Sequence, residues 1–133
     1  MHPKIKRIRS FLVAVLVLTA MLTMTALAGS EEVTFSFGFS EERQSARKSG
    51  YKSDAGTSSG NYATIVVQTC TARDGTPYAN VQTWDGTVVT PSYGFTTTGT
   101  TDMPYITSVT NGYLYLYGWS EHGACGITGI WYP

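Results

Sequence analysis

From Val33 to Phe39, apolar side chains fall on every second residue: Val33, Phe35, Phe37 and Phe39 alternate with Thr34, Ser36 and Gly38. A period of two is the repeat of an extended strand, so this segment presents one aromatic face and one small or polar face. After Val33 no window sustains the i, i+3, i+4 apolar stripe of a packed helix. Thr, Tyr and Val suit a half-buried pleated surface, and the glycines suit its turns. The chain is expected to be all-β.

Alternation and punctuation place the other strands. Tyr62 to Ala72 sets Ala63, Ile65 and Val67 against Tyr62, Thr64, Val66 and Cys70, the pattern of a central strand. Arg73 to Pro77 is a turn, Tyr78 to Trp84 a strand, Asp85-Gly86 a hairpin dipeptide that tolerates positive φ, and Val88-Val89 the return. Pro91 to Thr110 is expected to add short edge strands around Phe95 and Ile106. Tyr113 to Trp119 and Cys125 to Tyr132, joined by Ser120 to Gly123, read as a closing hairpin. Ser40 to Lys52 lacks apolar residues to bury and reads as a loop, with Ser40 able to cap a helical turn, and Asp54 to Asn61 is a Gly/Ser-rich connector. Six or seven short strands at this spacing predict a small antiparallel β-sandwich or a flattened barrel.

Ahead of this domain, Lys4, Lys6, Arg7 and Arg9 precede an apolar run from Phe11 that extends through Met24 and ends in Ala26-Leu27-Ala28. This is the layout of a signal peptide, with small residues where signal peptidase cleaves, so cleavage after Ala28 is expected. An uncleaved anchor is the competing reading, for which the run is barely long enough against the roughly 20 residues of a span. Neither a lipobox cysteine nor a C-terminal anchoring tail is present, and the expected product is a released domain, residues 29–133, with no membrane span. It would keep five basic against nine acidic residues, a net charge of −4. That balance disfavours a nucleic-acid partner. The only basic cluster, Arg43, Arg47, Lys48 and Lys52, reads as a solvated segment.

Cys70 and Cys125 are the only cysteines, and in a secreted chain they are expected to form a disulfide. The bridge would close a loop of about 56 residues and contribute roughly 4 kcal/mol in the chain-entropy picture. A free buried pair is the alternative. A redox role is disfavoured by the absence of Cys-x-x-Cys.

Catalytic chemistry finds little footing. His122, the one histidine after the expected cleavage, sits in a Glu-His-Gly turn, and no Gly-x-Ser-x-Gly motif accompanies it. One histidine and two paired cysteines are too few for zinc. Among the carboxylates Glu31, Glu32, Glu41, Glu42, Asp54, Asp74, Asp85, Asp102 and Glu121, nothing selects the pair a glycosidase needs, although Asp102 and Glu121 can be tested for hydrolysis. No catalytic residue, metal site or cofactor is assigned.

The aromatic residues are the functional lead. Tyr113, Tyr115 and Tyr117 share one face of a strand, and Leu114 and Leu116 share the other. If the leucines point inward, the tyrosines and Trp119 form an exposed ladder suited to a glycan or a protein. Otherwise the tyrosines lie at a rim or under a loop.

Phe35-Ser36-Phe37 after the signal, Tyr113-Leu114-Tyr115-Leu116, and Ile127-Thr128-Gly129-Ile130-Trp131 resemble segments of small secreted Gram-positive proteins of unknown function. More distantly they resemble the lactococcin-type β-sandwich bacteriocins. The resemblance implies a secreted sandwich without enzymatic machinery, antagonistic to other bacteria. The two cysteines and the negative charge depart from the bacteriocin pattern. They disfavour attack on an anionic membrane and leave binding of a cell-wall precursor or surface protein. The expected function is therefore non-enzymatic binding of a glycan or protein at the cell envelope or outside the cell, ahead of a bacteriocin-like toxin and a carboxylate-dependent hydrolase.

Overall fold

The computed structural model describes residues 31–53 and 61–133. The signal-peptide reading of residues 1–28 and most of the connector at 54–61, Asp54 included, lie outside the described residues. Eight strands form: β1 (Val33–Phe39), β2 (Ser45–Lys52), β3 (Tyr62–Thr71), β4 (Thr76–Gln82), β5 (Tyr93–Gly94), β6 (Gly99–Pro104), β7 (Gly112–Glu121) and β8 (Cys125–Tyr132). They make two antiparallel four-stranded sheets, ordered β1-β8-β3-β6 and β2-β7-β4-β5. The result is an all-β sandwich, with eight strands rather than six or seven.

Alternate residues of both sheets meet in one core. The first sheet supplies the bulk, with Phe35, Phe37, Ile65, Ile127 and Trp131 all buried. The second supplies smaller inward residues, Ala79, Val81, Leu114, Leu116 and Gly118. A Cβ at Gly118 would stand 2.5 Å from Cδ2 and 2.8 Å from Cε2 of Phe37, so the phenyl ring occupies the space where any other residue would carry a side chain. Gly50 of β2 receives Val33 in the same way, at 2.8 Å from its Cγ2.

Successive strands change sheet at every connection except β4 to β5. This corrects the expectation of a closing hairpin from Tyr113 to Tyr132. β7 pairs with β2 and β4, while β8 pairs with β1 and β3, so each is saturated on both edges and they face each other across the core. The reversal between them uses His122 at φ 70° and Gly123 at φ 131°, left-handed conformations that swing the chain from one sheet to the other.

Ser40–Lys52 is not a loop. Ser40 donates its amide and hydroxyl to Gln44 Oε1 in a turn, and β2 then pairs along its whole length with β7. Its core-facing parity holds Ala46, Lys48, Gly50 and Lys52, of which Lys48 is exposed, and these are too small or too polar to register as an apolar alternation. Lys52, expected to be solvated, is fully buried, with Nζ 5.4 Å from the ring centroid of Tyr105. Trp84 stands in the turn after β4 rather than in the strand, Val88 makes only an isolated bridge to Gln82, and Ile106 is exposed beyond β6.

Cys70 and Cys125 are free thiols, which corrects the expected disulfide. A bulge at Gln68 lets Val67 face Gly129 and Thr69 face Thr128, so Cys70 turns to the inner face, opposite Ile127. Cys125, two residues before Ile127 on β8, is thus a diagonal neighbour. Diagonal positions in a sheet have Cα atoms about 7–8 Å apart. A disulfide spans less than about 7 Å without backbone movement. Burial first, and then the nearby Cys125, raise the Cys70 thiol above its ordinary pKa.

Gly118→Val should lower stability by about 1–3 kcal/mol through overpacking. In thermal melts it should combine less than additively with Phe37→Leu, which vacates the same space. Denatured protein, without reductant, should yield two thiols per chain on titration with a disulfide reagent, and none would mean that the bridge forms. Because the folded Cys70 holds its proton more tightly than the unfolded thiol, stability should fall as pH rises above about 8.5. Cys70→Ser should flatten that decline.

Candidate functional site

Burial of Leu114 and Leu116 settles the parity of β7 and turns Tyr113, Tyr115, Tyr117 and Trp119 to the outer face of the second sheet. All four residues of the expected ladder therefore share one surface. Tyr113 is 65% exposed, and the other three are partly exposed. Successive rings stand on alternate residues, and at about 3.3 Å per residue the row from Tyr113 to Trp119 is about 20 Å long.

Neighbouring strands extend the row. β4 brings Tyr78 beside Trp119, where the rings stack with centroids 5.6 Å apart and planes 22° from parallel. Tyr117 lies 5.7 Å from Trp119 on the other side. Gly94 of β5 makes room for Tyr78, since a Cβ there would meet Tyr78 Cζ at 2.9 Å. At the far end Tyr51 of β2 packs edge-on against Tyr113 at 5.3 Å. Such offset and edge-to-face pairs add about 0.5–1.5 kcal/mol each beyond their buried area, so the rings hold one another in place.

Polar groups border the rings in a connected chain. Gln82 Nε2 donates to Asn80 Oδ1 at 3.0 Å, and Asn80 Nδ2 donates to Ser92 Oγ at 3.1 Å. On the β2 side, the Arg47 guanidinium carbon lies 4.3 Å from the Tyr115 ring centroid, and Nη1 donates to the carbonyl of Trp84 at 3.3 Å. Trp84 itself is 75% exposed on its turn. Arg43, Asn80, Ser92, Tyr117 and Trp119 line an open depression of about 410 Å³. The Glu121 carboxylate raises the Tyr78 phenol above its ordinary pKa, by its charge and by a hydrogen bond, and keeps it protonated.

The outer face of the first sheet is different in kind. Thr34, Ser36, Thr64 and Thr128 lie around Val66 and Ile130 there, with Tyr62 and Tyr132 toward one end. A larger cleft of about 620 Å³ opens at the end of the sandwich beside Gly38, Ser40, Gln44, Arg73 and Asp74, and its one aromatic neighbour, Phe39, is buried in the core.

The carboxylates considered for hydrolysis have local partners. Asp102 accepts from Thr64 Oγ1 at 2.9 Å, Glu31 from the Tyr51 amide at 2.8 Å and Glu32 from the Tyr132 hydroxyl at 3.1 Å. Asp85 is held below its ordinary pKa by the Thr83 hydroxyl first and then by Thr87 within its turn. His122 is exposed in the β7–β8 turn. Among the described residues, no three His, Cys, Asp or Glu side chains gather where a metal ion could be held.

Tyr51, Tyr78, Arg43, Arg47, Asn80, Gln82 and Trp84 belong to this surface and do not emerge from the sequence pattern of β7. Tyr78, Asn80 and Gln82 already share a parity within β4, and that was the available signal. Its partner strand was not legible. No protein-family model matches the chain, and no curated protein matches it either.

The parity of β7 has a direct check. Leu116→Ala should cost about 2–5 kcal/mol, as for a buried leucine. Tyr113→Ala should stay within about 1 kcal/mol, and chemical denaturation of the two variants measures both.

Proposed function

We propose that the protein is a secreted, non-enzymatic sandwich that binds a glycan at the cell envelope or outside the cell, through the outer face of its second sheet. The observation that carries this reading is the row Tyr78, Trp119 and Tyr117 beside the Asn80–Gln82 amide chain. A pyranose offers an apolar C–H face and a rim of hydroxyls. Aromatic rings complement the face, and amide and guanidinium groups complement the rim. The rings are fixed by mutual packing and by strand pairing, so little conformational freedom is lost on binding.

The surface is long, open and shallow. It suits a chain laid along β7 better than a small molecule enclosed on all sides. The basic and apolar order of the N-terminal 28 residues supports export as the route to such a ligand. The local partners of Asp85, Asp102, Glu31 and Glu32 support a binding role over a hydrolytic one.

Binding to a panel of soluble and insoluble polysaccharides tests this. Trp119→Ala should weaken the best ligand at least tenfold, about 1.4 kcal/mol, with the circular dichroism spectrum unchanged. Silence across the panel, or release of reducing sugar from any member, would overturn the proposal.

A further inference from the structure

The cations of this surface lie along one side of it. The described residues carry five cationic side chains, Arg43, Arg47, Lys48, Lys52 and Arg73. Lys52 is buried, and Arg73 lies at the cleft on the end of the sandwich. The other three, also exposed, all belong to β2 or the turn leading into it, the strand that borders the aromatic row.

One of them is tied to the row by its side chain, and a second stands beside it. Arg47 rests on the Tyr115 ring and is tied by one N–H to the Trp84 carbonyl. Guanidinium has five donors in a rigid fork, so most of that fork stays available. Arg43 takes φ 66°, a left-handed conformation that residues with a Cβ rarely adopt, and its amide donates to the Ser120 carbonyl at 3.0 Å. Arg43 lines the same open depression as Tyr117 and Trp119. Its nearest acid, Glu42, stands at 4.0 Å from Nε, and the Arg43 side chain is 90% exposed.

The acidic residues near the row keep their charge, and three of them are tied to local partners. Glu121 is bonded to Tyr78, Asp85 is held by Thr83 and Thr87, and Glu31 accepts from the Tyr51 amide. Glu41 and Glu42 lie on the turn before Arg43.

Resting on the glycan reading above, we infer that the ligand is an acidic polysaccharide, its rings laid on Tyr117 and Trp119 and its carboxylates met by Arg43 and Arg47. Arg47 reaches the row at Tyr115, and Arg43 joins it beside Trp119. Those two positions on β7 are four residues apart, about 13 Å along the strand. One extended chain therefore meets an arginine at two separated sugar units. Bidentate guanidinium–carboxylate pairing gives both arginines a role that hydroxyl recognition alone does not require. The expected charge of −4 on the released domain opposes a polyanion at long range, so the attraction must come from local contacts.

Polygalacturonate, alginate and hyaluronate, each beside its own methyl ester, separate charge from backbone shape. Binding of the purified protein is read by titration calorimetry and affinity electrophoresis. At least one acid polymer should bind tenfold or more tightly than its ester, and raising salt should erode that preference. The Arg43→Gln/Arg47→Gln double variant should bind acid and ester alike, with an unchanged melting curve, whereas Lys48→Gln should keep the preference. Equal binding of acid and ester by the unaltered protein, or a preference that survives the double variant, overturns the acidic ligand and leaves glycan binding standing. Failure to bind any of these polymers also overturns it. The glycan reading itself falls if the neutral panel is silent as well, or if a member is hydrolysed.

Discussion

The Phe37 ring against Gly118 is the contact on which the rest of the structure turns. It sets a large side chain of the first sheet into a gap left by the second. An inward Gly118 puts Leu116 and Leu114 inward by the period of two, and the same rule sends Tyr117, Tyr115 and Tyr113 outward. A side chain at 118 would push the sheets apart or reverse the strand. Reversal would bury three phenol hydroxyls in an apolar core, where each would need a hydrogen-bond partner. The core and the exposed aromatic row are two faces of one constraint.

The route of the chain follows from how such a core is closed. Six of the seven connections cross between sheets, so each strand's hydrogen-bonding neighbours come from distant parts of the sequence. Loops carry the crossing, and their left-handed residues, Arg43, His122 and Gly123, stand at the corners. Arg43 serves both purposes: its backbone turns the chain into β2, and its side chain borders the aromatic surface. The bulge at Gln68 is a similar local irregularity with a distant effect. It rotates Cys70 from the outer to the inner face and sets it diagonal to Cys125, where burial favours the neutral thiol.

The aromatic surface gains its character from strand neighbours. Tyr117 and Trp119 alone would be two partly exposed rings. Tyr78 from β4 stacks on Trp119, Asn80 and Gln82 add amides in register, and β2 contributes Arg47 and Tyr51 from the opposite edge. Each comes from a different stretch of chain, and antiparallel pairing brings them level.

The local pattern was legible where a strand buries large side chains on one face. Val33–Phe39 and the inward set Ala63, Ile65 and Val67 could be read directly, because a period of two in phenylalanine or isoleucine has one physical meaning. The all-β class and the division of β7 into a leucine face and a tyrosine face were equally visible. β2 was not, since an edge strand that buries Ala46, Gly50 and Lys52 leaves no apolar period. The disulfide expectation failed because sequence shows that two cysteines exist but not the bulge that sets their separation. The β7–β8 hairpin failed because a turn such as Ser120 to Gly123 fixes a reversal of direction and not the sheet into which the next strand goes. Sequence by itself thus determined which residues alternate and what each face is made of. Only the tertiary structure decided which face was inside, because that choice rests on cross-sheet fits such as Phe37 with Gly118, made between residues far apart in the chain.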